Sequence, residues 1–263
     1  MSDALTVERR GATAVLTIDN AAKWNALSPA ILEALGAALD ELEGDGELRA
    51  VVLTGAGERA FCAGADIKAW GDLSPFEFAR RWVVAGHRLF DRVAAFPVPV
   101  IAAINGHALG GGLELAAGWS WRRPATCASR RATRSLGCPR PPSASSPAGR
   151  VPTACRARCP RRWYARWRWR GRRLSAERAH QVGFLNDLTD GPPLDAALAL
   201  AARVAGLAPR SVEVAKYMLG AATGEARDAM IDALGGGLIA TTAYKAEGVA
   251  SFREKRKPSF KGE

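Results

Sequence analysis

Three adjacent glycines, residues 110–112, stand between an apolar run and a helix-like run. Residues 98–104 have the composition of a buried strand, and Glu114 falls in the first turn of the expected helix. Such glycines cost backbone entropy, so a fold keeps them where a side chain does not fit or a positive φ is needed. Backbone N–H groups at a helix start point at whatever lies in front of them. The segment is therefore either a tight packing contact with a surface glutamate or a set of N–H donors beside an acid/base group, which together could stabilise an oxyanion.

Strand-like and helix-like segments alternate along the first 115 residues. The strand-like segments are residues 5–7, 13–18, 50–54 and 98–104. Gly11 separates the first two, which predicts a hairpin. Ser28-Pro29 and Ser74-Pro75 each predict the start of a helix, with a serine N-cap and a proline in the first turn. This alternation predicts an α/β fold with ligands bound at glycine-rich strand ends. The last third of the chain is mostly helical in pattern, including segments at residues 194–207, 211–219, around Met230 and 244–252.

The net charge of +11 comes from one window of the chain. Residues 119–173 hold 16 arginines and neither lysine nor acid, and without those arginines the formal charge becomes −5. The same window holds five of the eight tryptophans and four of the five cysteines. A strongly basic balance ordinarily favours nucleic acid as a partner, but here that argument applies only to the window. Its cysteines lack paired spacing and histidine partners, so no metal site is expected.

Targeting signals are missing from the sequence. No run of about 18 apolar residues predicts a membrane span. Met1-Ser2-Asp3-Ala4 lacks the basic and apolar regions of a secretory signal. We therefore expect a cytoplasmic protein with no membrane partner.

Four segments resemble the crotonase superfamily, the enoyl-CoA hydratase/isomerase family. They are residues 23–28 (KWNALS), 60–68 (AFCAGADIK), 105–114 (NGHALGGGLE) and 247–256 (EGVASFREKR). The resemblance covers residues 5–115 and 171–263. It implies a crotonase-like ββα spiral with a C-terminal helical region, and the hydration of 2-enoyl-CoA thioesters. Coenzyme A would be part of the substrate and not a cofactor, and the chain would form a homotrimer or homohexamer.

The resemblance also implies site residues. The N–H groups of Ala65 and Gly111 would form an oxyanion hole for a thioester oxygen that becomes an enolate. Glu114 matches one of two hydratase glutamates that activate water and deliver a proton. Contacts to substrate and coenzyme A are implied for Ala63, Ala65, Asp66, Ile67, Lys68 and Gly111. For Asp66, Lys68 and His107, structural roles are equally open: a loop cap, a surface lysine and a histidine at the edge of the core.

The same resemblance suggests two regions. Residues 1–190 would form the spiral core, with residues 119–170 anomalous in composition. Residues 191–263 would form the helical oligomerisation region.

The second hydratase glutamate is missing. It should lie about 20 residues after Glu114, where counting gives Arg134. The nearest likeness to the expected segment is Leu136-Gly137-Cys138-Pro139-Arg140, which has arginine in place of glutamate. Hydration is therefore expected to be impaired. The alternatives are an enoyl-CoA isomerase or another CoA-thioester enzyme, an inactive CoA-binding product, and an arginine/tryptophan insertion that binds nucleic acid through phosphate contacts and stacking.

We interpret residues 119–170 as translated out of frame. An abrupt run of arginine, proline, serine and tryptophan is typical of a GC-rich gene read out of register. Residues 139–148 can be back-translated so that a neighbouring frame reads Pro-Glu-Ala-Pro-Ile-Gly-Val-Val-Thr-Gly, which resembles the missing segment. Sequencing codons 115 to 175 of the gene is expected to reveal a family-like segment in another frame. A gene with no such segment in either alternative frame would contradict this interpretation.

Overall fold

The computed structural model describes residues 4–116, 126–129, 136–137, 174–221, 237–238, 240–241 and 243–259. The chain divides into two compact units, Met1–Lys216 and Tyr217–Glu263. The proposed functional boundary between residues 190 and 191 stays a prediction. Arg134, Met230 and nearly all of residues 119–170 lie outside the described residues.

Strands of the first unit form two sheets. In chain order they are β1 (Leu5–Arg10), β2 (Thr13–Ile18), β3 (Ala50–Gly55), β4 (Ala60–Cys62), β5 (Val100–Ile104), β6 (His107–Leu109), β7 (Thr126–Ser129), β8 (Leu136–Gly137) and β9 (Asp187–Thr189). The larger sheet has the order β1-β2-β3-β5-β7-β9 and the smaller has the order β4-β6-β8. The predicted β1–β2 hairpin is confirmed as an antiparallel pair, and every other neighbouring pair is parallel. The expected α/β class is therefore confirmed.

Helices lie between these strands and after the last of them. In chain order they are a 3-10 turn (Ala21–Lys23), α1 (Pro29–Glu43), α2 (Ile67–Trp70), α3 (Pro75–Glu77), a π-helix (Phe78–Val84), α4 (Ala85–Ala95), α5 (Gly111–Ala116), α6 (Ala176–Gln181), α7 (Pro193–Ala205), α8 (Pro209–Ala221) and α9 (Ala243–Arg253). The predicted serine caps are confirmed, because Ser28 Oγ accepts from Ile31 N and Ser74 forms a capping box with Glu77. The long helix predicted after Ser74 is instead divided by the π-helix, a form that often occurs at functional sites.

Strand β3 is buried throughout because both of its faces are covered. Val51 and Leu53 are buried in the cluster that includes the apolar face of α1. Val52 faces the other way and is buried with Ala197 and Ala201 of α7. A strand with both faces covered is a continuous apolar run, as the sequence has it here.

The smaller sheet places the two glycine-containing loops side by side. Strands β4 and β6 pair in parallel, with Ala60 opposite His107 and Cys62 opposite Ala108. Parallel strands end at the same edge of a sheet, so Gly64 and Gly110, which follow these strands, leave from that edge. This edge is the place to look for a site. Across the described ranges, no helix is long and apolar enough to cross a membrane.

Candidate active site

A short parallel bridge fixes the direction of the Ala65 N–H group. Leu27 donates its N–H to Gly64 O at 2.7 Å and accepts from Asp66 N–H at 2.8 Å. In a parallel pair, one residue bonds to the two neighbours of its partner, and the partner's own N–H points the other way. The N–H of Ala65 therefore points away from Leu27. Gly64 makes the turn with a φ of +100°, a backbone conformation that residues other than glycine rarely adopt.

The Gly111 N–H group lies at the start of α5. Gly110 has a φ of +49°, and its carbonyl accepts from the N–H groups of Leu113 and Glu114, both at 3.0 Å. The first N–H of a helix has no partner within the helix. A Cβ built on Gly111 would lie 3.9 Å from Ala65 N, so the two segments are in contact. Within the described ranges, neither Ala65 N–H nor Gly111 N–H donates to a backbone acceptor.

Ala65, Gly111 and Glu114 line one pocket of about 100 Å³. The structure therefore brings together the three residues that the sequence implied as catalytic. The remaining lining residues are Leu27, Leu32 and five residues of the π-helix and α4, namely Trp82, Val83, Gly86, His87 and Phe90. Two N–H dipoles beside a carboxyl group, in a mostly apolar pocket, can stabilise a developing oxyanion and move a proton.

His87 is the titratable lining residue that sequence reasoning missed. Trp82, Val83 and Phe90 have the helical spacing of one shared apolar face, which by itself predicts burial in the core. His87 comes four residues after Val83 and three before Phe90, so its position on that same face was available as a signal. The periodicity shows which residues share a face, but not that this face lines a pocket.

The implied coenzyme A contacts lie on the segment from Ala63 to the first turn of α2. Ala63 is half-buried and donates its N–H to Trp24 O at 3.0 Å, whereas Ile67 and Lys68 are exposed. Asp66 is the cap of α2, since its carboxylate accepts from Lys68 N at 3.1 Å. Lys23 Nζ donates to the same carboxylate at 2.8 Å and holds the pKa of Asp66 below its usual range. These residues flank Ala65 in the chain, and Ala65 lines the pocket. Their contacts with coenzyme A stay a prediction.

Three neighbouring residues, His107, Cys62 and Asn25, have structural roles. His107 stacks on Trp24, with the ring centroids 5.5 Å apart, and the Arg59 guanidinium lies 4.6 Å from the Trp24 ring centroid. Cys62 is fully buried, and burial raises the pKa of its thiol to about 12, so the thiolate that a nucleophile needs is not formed at neutral pH. Asn25 is also fully buried and donates to Ala56 O and Ala60 O, which holds the turn before α1 against β4.

Gly112 is required for the close approach of α5 to β4. A Cβ on Gly112 would lie 2.6 Å from Cys62 Cβ and closer still to its carbonyl oxygen, whereas a Cβ on Gly111 would lie 3.6 Å from Leu27 Cδ1, an ordinary contact. We expect Gly112→Ala to lower the free energy of unfolding by about 2 kcal/mol or more, because backbone must move. Gly111→Ala, the matched control, should fold with nearly unchanged stability. Denaturant melts of both variants test this, and equal stabilities would contradict the role assigned to Gly112.

Comparison of the sequence with known proteins points to one family. The family model described as enoyl-CoA hydratase/isomerase matches residues 8–263. YngF of Bacillus subtilis, whose name includes the same two activities, is 35% identical over 261 residues, 95% of this chain and 94% of its own length. The short-chain-enoyl-CoA hydratase of Clostridium acetobutylicum is 43% identical over 110 residues, 42% of each chain.

The fold agrees as well. The crystal structure of an enoyl-CoA hydratase from Bacillus anthracis matches with a TM-score of 0.79 at 29% identity, and the match covers 99% of this chain and 100% of that one. The expected crotonase-like fold is thereby confirmed. The chain belongs to the enoyl-CoA hydratase/isomerase family of the crotonase superfamily.

Proposed function

We propose that the chain hydrates 2-enoyl-CoA thioesters through an enolate intermediate. The observation that carries the proposal is the meeting of Ala65 N–H, Gly111 N–H and the Glu114 side chain at one pocket. The names of the relatives support hydratase chemistry, and one of them is a short-chain enzyme. Coenzyme A enters as part of the substrate and leaves as part of the product.

The thioester carbonyl oxygen would accept from the N–H groups of Ala65 and Gly111. These donors belong to fixed backbone, so they stabilise the negative charge that develops on this oxygen without reorganising. Conjugation of the carbonyl with the double bond makes C3 electrophilic. Glu114 would take a proton from water as the water oxygen bonds to C3, and the π electrons of C2=C3 pass to the carbonyl oxygen. Protonation of the enolate at C2 then completes the 3-hydroxyacyl product.

The segment after β4 would bind the rest of the substrate. Backbone groups between Ala63 and Lys68 would contact the adenine and pantetheine parts of coenzyme A. Lys68 and Ile67 are exposed beside the pocket, so a large ligand can reach them. Asp66 would act by fixing the loop, because it is occupied in capping α2 and pairing with Lys23.

Glu114→Gln tests the proposal. With crotonyl-CoA, the variant should lose about 10²-fold or more in kcat, because an amide cannot take the proton from water. The measurement is loss of the enoyl-thioester absorbance in purified protein. Glu33→Gln, on the exposed side of α1, is the matched control and should leave kcat unchanged.

Wild-type activity well below that of a relative with two glutamates is expected. Glu114→Gln with the wild-type rate, or wild-type protein with no hydration, would overturn the proposal.

Assembly into a homotrimer or homohexamer through the C-terminal helical region is part of the same proposal. In the second unit, Leu238, Val249 and Phe252 are 70%, 45% and 84% exposed. Large apolar side chains exposed on a helical segment are typical of surfaces that another protein covers. Light scattering of the purified protein should give three or six times the mass of 27.9 kDa. Phe252→Asp should shift the mass towards the monomer, and a monomeric wild-type protein would contradict the assembly.

A further inference from the structure

Hydration needs two proton transfers, and the described pocket contains two titratable side chains. One is Glu114 and the other is His87, which lines the pocket from α4. The other lining residues are glycine, alanine, leucine, valine, phenylalanine and tryptophan, none of which exchanges protons with a substrate. A substrate whose reacting end occupied this pocket would lie beside both titratable side chains.

Residues 119–173 contain neither aspartate nor glutamate. The chain therefore has no carboxylate in the part of the sequence where a second acid/base glutamate was expected. A histidine can replace a carboxylate in this work because its ordinary pKa, about 6.5, lets it hold or release a proton near neutral pH.

We propose that His87 is the second acid/base residue and exchanges a proton with C2 of the substrate. The inference rests on the proposed hydratase function. Since a carboxylate is ordinarily ionised at pH 7 and an imidazole is partly protonated, Glu114 acts on water and His87 acts on C2.

The protons and electrons balance in this scheme. Glu114 takes one proton from water while the remaining hydroxide forms the C3–O bond. The electron pair of C2=C3 moves to the carbonyl oxygen, which Ala65 N–H and Gly111 N–H hold. The enolate pair then returns to form the C2–H bond with the proton of the His87 imidazolium, and the imidazole becomes neutral. Solvent carries the proton from Glu114 back to His87, which restores both groups.

Charged groups on the elements around His87 set the background for its titration. On α4, Asp91 lies one turn after His87 and Arg88 is its exposed neighbour. Helix α1 packs against α4, and its Asp40 and Glu43 carboxylates lie 2.5 Å and 3.8 Å from Arg92. The other titratable group among the described lining residues of the pocket is Glu114 on α5. On the loop of Ala65, the Asp66 carboxylate pairs with Lys23 and Lys68 is exposed. The π-helix carries Arg80 and Arg81, both exposed.

Two assays on the full-length protein separate the roles. Hydration of crotonyl-CoA needs both proton transfers. Exchange of the C2 protons of butyryl-CoA in deuterium oxide, followed by NMR, needs only the residue that acts on C2 and the oxyanion hole. His87→Asn should lose about 10²-fold or more in both assays. Glu114→Gln should lose hydration but keep C2 exchange within a few-fold of wild type.

The pH dependence gives a signature that a structural role for His87 does not. Hydration uses the imidazolium, so the wild-type rate should fall as the pH rises through the imidazole pKa. Exchange begins with the neutral imidazole as base, so its rate should rise over the same interval. Both slopes should vanish in His87→Asn. Arg88→Ala, an exposed change one residue along α4, is the control and should keep both slopes.

The outcomes distinguish this inference from the hydratase proposal. His87→Asn with wild-type hydration overturns the inference and leaves the proposal intact. Loss of hydration in His87→Asn with C2 exchange and both pH slopes retained also overturns it. Wild-type protein that exchanges C2 protons in a His87-dependent way without hydrating supports His87 and overturns the hydratase proposal. Wild-type protein that does neither overturns both. If His87→Asn melts below the assay temperature, His87→Gln is used with the same criteria.

Discussion

The two backbone hydrogen bonds between Leu27 and the Gly64–Asp66 segment are the constraint on which the site depends. They use the carbonyl of Gly64 and the N–H of Asp66, at 2.7 Å and 2.8 Å, and so leave the N–H of Ala65 directed away from Leu27. A buried side chain fixes the turn before α1 in addition to this bridge. Asn25, two residues before Leu27, is fully buried and donates to carbonyls on both sides of the Arg59 region. The direction of the Ala65 N–H group thus depends on backbone contacts with Leu27, which lies 38 positions earlier in the chain (65 − 27).

Close backbone approach is the second requirement, and it explains where glycine is found. The positions that cannot hold a Cβ are those at which another backbone lies: Gly55 against β4, Gly64 against Leu109, Gly106 against Arg59 and Gly112 against Cys62. Gly111 is different, because a Cβ there meets only the Leu27 side chain at ordinary distance. The glycine triplet therefore combines a positive φ at Gly110, an open pocket wall at Gly111 and a packing contact at Gly112. The two alternatives raised by the sequence, packing contact and N–H donor, apply to different members of the same triplet.

Much of this arrangement could be predicted, for physical reasons that differ between its parts. The β1–β2 hairpin and the α1 cap follow from local chemistry, since turn and cap residues act on their own neighbours. The meeting of Ala65, Gly111 and Glu114 required knowledge of which strands pair, and here the resemblance to a family supplied what local patterns do not contain. The π-helix and the position of His87 were missed because helical periodicity identifies a face but not what the face contacts. The place expected for the second hydratase glutamate, which counting gives as Arg134, lies outside the described residues, so what stands there in the site stays a prediction.

The two kinds of group that the proposed mechanism uses differ in how they depend on sequence. An oxyanion hole made of backbone N–H groups needs only the right path of the chain, which Gly64 and Gly110 allow through their positive φ angles. An acid/base group needs a particular side chain, and a single substitution removes it. Under the proposed mechanism, a chain that keeps the fold but changes its side chains keeps these N–H donors, while the proton transfers fall to whichever titratable side chains line the pocket. In this chain the lining includes His87 of α4 as well as Glu114, so the proposed division of the two proton transfers requires no change of backbone.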